Sequence, residues 1–168
     1  MGNNLLSERL VYNGESRTPT HLHLCAYEAG ASEETAAERF EDLLPHLGGG
    51  RTLWLQVHGL RDTDIVRDVC AHFGIDFLTM QDILNVSHPS KIEEREAYTV
   101  VISKLSAWPD EPGGDIRQTH FCLVQGNGFV LTFLEEDSDF FRDVTQAIRA
   151  NTLHIRERHA DYLLSVLL

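Results

Sequence analysis

Two parts of this sequence carry residue types that are able to bind metal ions. The first part is residues 21–25. His21, His23 and Cys25 occupy alternate positions, so in a β-strand all three side chains lie on one face. Imidazole and thiolate are both good zinc ligands, but a structural zinc site needs four, and no second close His/Cys pair occurs. The pattern therefore favours a partly exposed face of a sheet. The other histidines are dispersed, and we expect surface or hydrogen-bonded side chains at His46, His58, His72, His88, His120, His154 and His159.

The second part is the pair Gln81-Asp82, near the end of a predicted short helix. Asp76 is a suitable N-cap for a helix from Phe77 to about Leu84. Mg²⁺ keeps several of its waters and is typically held by only one or two carboxylates. A single carboxylate binds weakly, so Asp82 needs a partner, for example from another subunit. Without a partner, Asp82 is an ordinary solvated helix residue.

No catalytic signature accompanies these residues. GxSxG, HExxH, Walker-type and GxGxxG patterns are absent from the sequence. Gly48-Gly49-Gly50 precedes an apolar strand rather than opening a helix, which excludes a phosphate-binding loop of the usual kind. We therefore expect that the chain is not an enzyme.

The composition indicates one acidic globular domain. The chain has 168 residues, enough for a substantial core, and 26 acidic against 14 basic residues give a net charge of −12. This charge disfavours nucleic acid and anionic lipid as partners. Three cysteines without CxxC spacing favour free thiols in a reducing cytoplasm. No stretch approaches the roughly 20 apolar residues of a membrane span, so this piece is expected to be soluble.

The hydrophobic pattern predicts strands and helices in both halves of the chain. Strands are predicted from alternating or continuous apolar residues at 9–13, 20–27, 53–57, 98–108, 118–125 and 129–134. The run at 53–57 is apolar enough for a central strand covered on both faces. Helices are predicted from Ser32 to about Leu47, after Asp62, after Asp76, and after Ser138 with Phe140, Phe141, Val144 and Ile148 inward. The apolar run at 160–168 lacks a C-cap and predicts the start of a longer helix.

Six short segments follow one another in a specific order. They are Trp54–Leu60, His72-Phe73-Gly74, Gln81-Asp82-Ile83-Leu84-Asn85, Pro89-Ser90-Lys91-Ile92-Glu93, Phe129–Phe133, and Ala160–Leu164 with the residues just before it. Each segment is a weak signal alone, whereas six in one order are specific. In this order they resemble the N-terminal cytoplasmic domain of the CorA family of magnesium and divalent-cation transporters, over nearly the whole chain.

The resemblance implies an α/β fold: an α/β/α sandwich with a mixed parallel and antiparallel sheet flanked by helices. It implies one domain over residues 1–159, with 160–168 as the start of a truncated long helix and the transmembrane region absent from this chain. The full-length protein is then expected to be a homopentamer on the cytoplasmic face of the inner membrane.

The resemblance also implies a role for Gln81 and Asp82. Asp82 matches the family's intersubunit metal-sensing aspartate, and Gln81 stands where some relatives carry an acidic ligand for a second cation. A neutral amide at Gln81 lowers the charge of that second site, so its affinity should fall. The implied function is regulation of Mg²⁺ or Co²⁺ flux by intersubunit Mg²⁺, with Co²⁺, Zn²⁺ or Ni²⁺ as alternatives. A ZntB-like zinc transporter domain and a metal-independent oligomerisation scaffold stay open as alternatives.

Overall fold

One mixed β-sheet organises the part of the chain that the structure describes. The structure is a computed structural model that describes residues 9–168. Its strands are β1 (His21–Glu28), β2 (Ala31–Ala37), β3 (Thr52–His58), β4 (Lys91–Glu94), β5 (Tyr98–Ala107), β6 (Arg117–Gly126) and β7 (Phe129–Leu134). Their order across the sheet is β2-β1-β3-β7-β6-β5-β4. All neighbours are antiparallel except β3 and β7, which are parallel.

Helices cover both faces of this sheet. The α-helices are α1 (Thr63–His72), α2 (Phe77–Leu84), α3 (Arg142–Ala150) and α4 (Ala160–Leu167), and 3-10 helices span Phe40–His46 and Thr152–Glu157. The first core lies between the sheet and α1, α2 and the first 3-10 helix. The second core lies on the opposite face, under α3, α4 and the second 3-10 helix. This arrangement confirms the predicted α/β/α sandwich around a mixed sheet.

Strand β3 lies in the middle of the sheet because both of its faces are apolar. It pairs with β1 on one side and with β7 on the other. Trp54 is buried in the second core, and Leu55 and Val57 are buried in the first. The indole Nε1 of Trp54 also donates to Thr132 Oγ1 on β7 at 3.2 Å. The predicted central strand at 53–57 is confirmed.

Both predicted aspartate caps are present. The Asp62 carboxylate accepts from the backbone N–H groups of Asp64 and Ile65 at 3.2 and 3.3 Å, and Asp76 accepts from that of Thr79 at 2.7 Å. Each cap satisfies a donor that the first helical turn leaves unpaired, a contribution of roughly 1 kcal/mol. Helix α2, which carries Asp82, therefore begins at a defined position.

The strand predicted at residues 9–13 is wrong, whereas the one at 20–27 is confirmed as β1. Residues 9–13 lie outside the sheet. The Tyr12 hydroxyl donates to Glu135 Oε1 at 2.5 Å, and the Asn13 amide donates to Asn85 Oδ1 at 2.7 Å. Side-chain hydrogen bonds, rather than a backbone ladder, hold this segment.

The helix predicted from Ser32 to Leu47 is also wrong. Residues 31–37 form β2, whose backbone pairs with β1 in a hairpin, and a 3-10 helix follows. Phe40 and Leu43 do face the first core, but from the 3-10 helix. Pro45 lies inside that helix and lacks the N–H that a longer α-helix needs.

Two further differences from the predicted elements concern strand β4 and the start of helix α3. Strand β4 was not predicted, because three of its four residues are charged and Ile92 is 70% exposed, as is usual for an edge strand. The helix after Ser138 begins only at Arg142. Phe140 is exposed rather than inward, whereas Phe141 and Ile148 are buried as predicted.

The apolar run at 160–168 forms α4, and its residues Ala160, Leu163 and Leu167 pack in the second core. Among residues 9–168, no helix combines the length and the hydropathy needed to cross a membrane. The domain boundary predicted at residue 159 stays a prediction.

Gly59 turns the chain out of β3, and we predict that Gly59→Ala is strongly destabilising. Its φ is +78°, and an added Cβ would lie 2.6 Å from the Thr18 carbonyl oxygen and 2.9 Å from that of Pro19. Gly74→Ala is the matched control, because Gly74 has φ of +74° but no atom within 4 Å of the added Cβ.

Urea unfolding should show that Gly74→Ala loses about 1–2 kcal/mol, the usual cost of a left-handed non-glycine residue. Gly59→Ala should lose about 1–3 kcal/mol more, because the added methyl group overpacks the turn. Equal losses for the two variants would contradict the packing of residues 18–19 against Gly59.

Candidate metal-binding sites

Buried polar contacts hold helix α2, and with it Asp82, against the sheet. Near the start of α2, Thr79 Oγ1 lies 3.1 Å from the Tyr98 hydroxyl on β5. Near its end, His120 on β6 donates from Nε2 to the Ile83 carbonyl oxygen at 2.8 Å. Both contacts are buried. Asp82 is therefore positioned by contacts on either side of it along the helix.

The Asp82 carboxylate is already in contact with two side chains of the same chain, the Lys91 ammonium and the His88 imidazole. Lys91 Nζ lies 2.8 Å from Asp82 Oδ2 and 2.9 Å from Glu93 Oε2. His88 Nε2 lies 3.5 Å from Asp82 Oδ1. The hydrogen bonds to Asp82 and Glu93 raise the pKa of the Lys91 ammonium above its usual value, so Lys91 stays charged at neutral pH.

This pairing determines what Asp82 is able to bind. The side chains of Asp82 and Lys91 are 28% and 29% exposed, so a cation from solvent reaches the carboxylate only in competition with Lys91. Glu93 gives the displaced ammonium a second carboxylate partner. The arrangement suits weak, reversible binding of a hard cation rather than permanent occupancy.

Asp82 has no complete ligand set of its own. Among residues 9–168, the one group of three or more His, Cys, Asp or Glu side chains with ligand atoms within 4.8 Å of one another lies elsewhere. Gln81 is a partly exposed residue of α2 directly before Asp82. Metal binding by Asp82 with an intersubunit partner, and by Gln81, therefore stays a prediction.

The group that the structure does bring together consists of His21, His58 and Asp137. His21 begins β1, His58 ends β3, and these two residues are register partners. Asp137 follows β7, the parallel neighbour of β3. The two imidazole rings stack with centroids 4.9 Å apart. His21 Nε2 lies 2.5 Å from Asp137 Oδ1, and His58 Nδ1 lies 4.0 Å from the same oxygen.

His23 and Cys25 do not join this group. His23 Nε2 lies 3.2 Å from Glu34 Oε1 on β2. Cys25 is fully buried in the second core, and burial raises the pKa of its thiol to about 12. The predicted, partly exposed sheet face therefore exists for His21 and His23, whereas Cys25 on the same face is covered by helices.

Sequence reasoning missed that His58 and Asp137 are neighbours of His21. His58 is hydrogen-bonded, as predicted for the dispersed histidines, but it is buried next to a second histidine. The available signal was that residues 58 and 137 both come at the carboxyl ends of apolar strands. Such ends meet only if the two strands are parallel neighbours, and the local sequence pattern does not specify this.

His120 makes the stability of the α2 contact depend on pH, and we predict that His120→Gln reduces this dependence. Desolvation by burial lowers the pKa of His120 below 6.5, so it is neutral in the folded chain. The unfolded chain takes up a proton as pH falls below that value. Wild-type stability should therefore fall as the solution is acidified from neutral pH to about pH 5.

The glutamine does not titrate, so the loss of unfolding free energy over this interval should be smaller than in wild type. Urea unfolding at the two pH values measures it. His154→Gln is the control, because His154 is exposed and pairs only locally with Glu157. The same loss in His120→Gln as in wild type would contradict a neutral His120.

Comparison of the sequence with known proteins identifies a curated relative of this chain. No family model matches the chain. The cobalt/magnesium transport protein CorA of Thermotoga maritima is 32% identical over 155 residues, which are 92% of this chain and 44% of that protein. The chain thus spans less than half the length of this curated relative.

Solved structures share the fold at low identity. The full-length CmaX protein matches with a TM-score of 0.65 at 11% identity, over 92% of this chain and 46% of that one. The soluble domain of CorA from Methanocaldococcus jannaschii matches with a TM-score of 0.60 at 17% identity, over 86% and 53%. The ZntB cytoplasmic domain from Vibrio parahaemolyticus matches with a TM-score of 0.52 at 10% identity, over 76% and 49%.

The sequence identity to a CorA protein and the fold shared with a CorA soluble domain together confirm the resemblance carried by the six ordered segments. The chain belongs to the CorA family and corresponds to the N-terminal domain of its members.

Proposed function

We propose that this chain is the cytoplasmic regulatory domain of a CorA-type transporter and that it senses divalent cations at Asp82. The observation that carries the proposal is the paired but accessible Asp82 carboxylate on α2, in a chain 32% identical to a cobalt/magnesium transport protein. Mg²⁺ is the proposed ion, with Co²⁺ next. The proposed role is control of ion flux and not catalysis.

The proposed sensing step is an exchange of cations. At low Mg²⁺, Lys91 occupies the Asp82 carboxylate at 2.8 Å. At high Mg²⁺, a hydrated ion binds there and Lys91 moves to Glu93, which it already contacts at 2.9 Å. Because the ion must displace a built-in competitor, binding is weak and responds to concentration. This is the behaviour that a sensor requires.

Assembly supplies the missing part of the site in this proposal. One carboxylate and water ligands hold Mg²⁺ poorly, whereas two carboxylates from neighbouring copies hold it better. A net charge of −12 on each chain makes neighbouring copies repel one another. Mg²⁺ between subunits of a homopentamer offsets this repulsion and favours the closed arrangement of the channel. When Mg²⁺ is lost, the repulsion between the subunits returns and the channel opens.

Two variants of the Asp82–Lys91 ion pair test the exchange of Lys91 for Mg²⁺, because they should change Mg²⁺ affinity in opposite directions. Asp82→Asn should weaken Mg²⁺ binding to the chain at least tenfold, because it removes the charged ligand that each copy contributes. Lys91→Met should strengthen binding about two- to fivefold, because it removes a competing ion pair of roughly 0.5–1 kcal/mol. Calorimetry, or Mn²⁺ as a spectroscopic substitute, measures both affinities.

Asp64→Asn is the matched control, since it removes an exposed aspartate that pairs with Arg67 on α1. It changes the net charge by the same amount as Asp82→Asn and should leave Mg²⁺ affinity at the wild-type value. If the two aspartate variants lower Mg²⁺ affinity equally, the loss in Asp82→Asn comes from the change in net charge alone. That result would contradict a Mg²⁺ site at Asp82. In that case a metal-independent oligomerisation scaffold becomes the better account.

The transported ion is a separate question, because the ZntB cytoplasmic domain shares the fold. Flux through the transporter that carries this domain, measured with Mg²⁺, Co²⁺ and Zn²⁺, distinguishes the two. We expect Mg²⁺ and Co²⁺ flux that is inhibited by internal Mg²⁺, with weaker inhibition in Asp82→Asn. Flux of Zn²⁺ alone would favour the ZntB-like alternative.

A further inference from the structure

The group of His21, His58 and Asp137 has the ligand types of a metal site that is distinct from Asp82. We propose that these three side chains bind one zinc-class divalent cation (Zn²⁺, Co²⁺ or Ni²⁺) through two imidazole nitrogens and one carboxylate oxygen. Their ligand atoms lie within 4.8 Å of one another. Imidazole suits these cations, whereas Mg²⁺ prefers oxygen ligands. The proposal does not depend on the proposed role of Asp82.

A chain of hydrogen bonds fixes which nitrogen of His58 carries its proton. His23 Nε2 lies 3.2 Å from Glu34 Oε1, and because a carboxylate only accepts, we place the proton of the neutral His23 on Nε2, which leaves its Nδ1 as an acceptor. Gln56 donates from Nε2 to that acceptor at 3.2 Å, and this turns Gln56 Oε1 toward His58 Nε2 at 3.1 Å. His58 therefore donates from Nε2, and its Nδ1 carries a lone pair. Such a hydrogen bond to the second nitrogen is typical of histidines that bind metals.

The lone pair on His58 Nδ1 is buried and has no hydrogen-bond partner. The His58 side chain is only 9% exposed, and its Nδ1 makes no hydrogen bond. The nearest charged oxygen, Asp137 Oδ1 at 4.0 Å, is itself an acceptor and cannot satisfy another acceptor. Buried polar atoms without a partner are rare in folded proteins. A cation between His58 and Asp137 satisfies the nitrogen and the carboxylate together.

Both exposed side chains, His21 and Asp137, have to move to bring the three ligand atoms to coordination distance. Because an imidazole binds a metal in its own ring plane and the two rings are stacked nearly parallel, the His21 ring, whose side chain is 42% exposed, must rotate out of the stack. With bonds of about 2.0–2.2 Å, neighbouring ligand atoms of a tetrahedral zinc site lie about 3.3–3.5 Å apart. Asp137 Oδ1 is now closer than this to His21 Nε2, at 2.5 Å, and farther from His58 Nδ1, at 4.0 Å. A shift of the carboxylate by about 1 Å toward His58 corrects both distances. The Asp137 side chain is 63% exposed and has room for this shift.

The surroundings leave space for a fourth ligand. All three residues line a cavity of about 570 Å³ between the sheet and α3. Zinc sites with three protein ligands keep a water or another small ligand in the fourth position, and this cavity has room for one. The cation takes the place of the hydrogen between His21 Nε2 and Asp137 Oδ1, and a neutral His21 then carries its proton on Nδ1.

Titration of the whole chain with Zn²⁺ by calorimetry, and with Co²⁺ by visible absorption, tests the proposal near neutral pH. We expect one saturable site per chain. His21→Ala and Asp137→Asn should each weaken binding at least tenfold. Both residues are more than 40% exposed, so the variants should fold, and circular dichroism checks this. Asp82→Asn should bind zinc as wild type does, which separates this site from the proposed magnesium sensor.

Two controls separate a built site from surface binding. His154→Ala removes an exposed histidine that lies 2.8 Å from Glu157 without a third ligand. Asp139→Asn removes an acid that lines the same cavity outside the group. Both should retain wild-type affinity for zinc. The proposal is overturned if wild type shows no saturable binding, if the controls weaken binding as much as His21→Ala does, or if Co²⁺ gives a thiolate charge-transfer band.

Discussion

The parallel pairing of β3 with β7 is the contact on which the rest of the fold depends. It joins the N-terminal strands β2-β1-β3 to the C-terminal strands β7-β6-β5-β4 in one sheet. The connection between β3 and β7 passes through α1, α2 and three strands, so the pairing is highly non-local. Burial of β3 on both faces stabilises it, and the Trp54–Thr132 hydrogen bond adds a specific contact between the two strands. Both cores are complete only when this pair has formed.

The same pairing places the two candidate sites on separate faces of the molecule. Because β3 and β7 run in the same direction, His58 and Asp137 emerge at one edge, next to His21 at the start of the antiparallel β1. Asp82 belongs to α2, which packs in the first core, whereas the cavity beside His21 is bounded by α3 of the second core. The site proposed for a hard cation with oxygen ligands and the site proposed for a borderline cation with imidazole ligands therefore do not overlap.

Local sequence signals were sufficient for elements whose pattern is unambiguous. The apolar run of β3, the aspartate caps of α1 and α2, and strands β5, β6 and β7 were predicted correctly, whereas the charged edge strand β4 was not. Residues 32–47 were mistaken for a helix because Phe40, Leu43 and Leu47 have helical spacing, although hairpin pairing with β1 decides the structure of residues 31–37. Here tertiary pairing overrides a local preference. The ordered segments identified the family although no single segment was strong.

For the candidate sites too, local sequence patterns predicted some features, and others depend on tertiary contacts. Asp82 was identified from its helix and its resemblance to the family motif, but its pairing with Lys91 depends on how the chain after α2 returns along edge strand β4. His58 and Asp137 were not identified together, because their contact requires knowledge of which strands are parallel neighbours. Sequence alone indicates which side chains are capable of binding a metal. The sheet order decides which of them meet.

The exchange of Lys91 for a divalent cation at Asp82 is the central claim, and the side-chain ammonium signals of lysine in nitrogen-15 NMR test it most directly. The chain has two lysines, Lys91 and Lys104, and Lys104 bonds instead to the Val86 carbonyl oxygen and to His120. Mg²⁺ should shift the Lys91 signal, because the ammonium loses Asp82 and keeps Glu93, and should leave the Lys104 signal in place, with NaCl at equal ionic strength as control. A Lys91 signal that Mg²⁺ affects no more than NaCl does would contradict the claim.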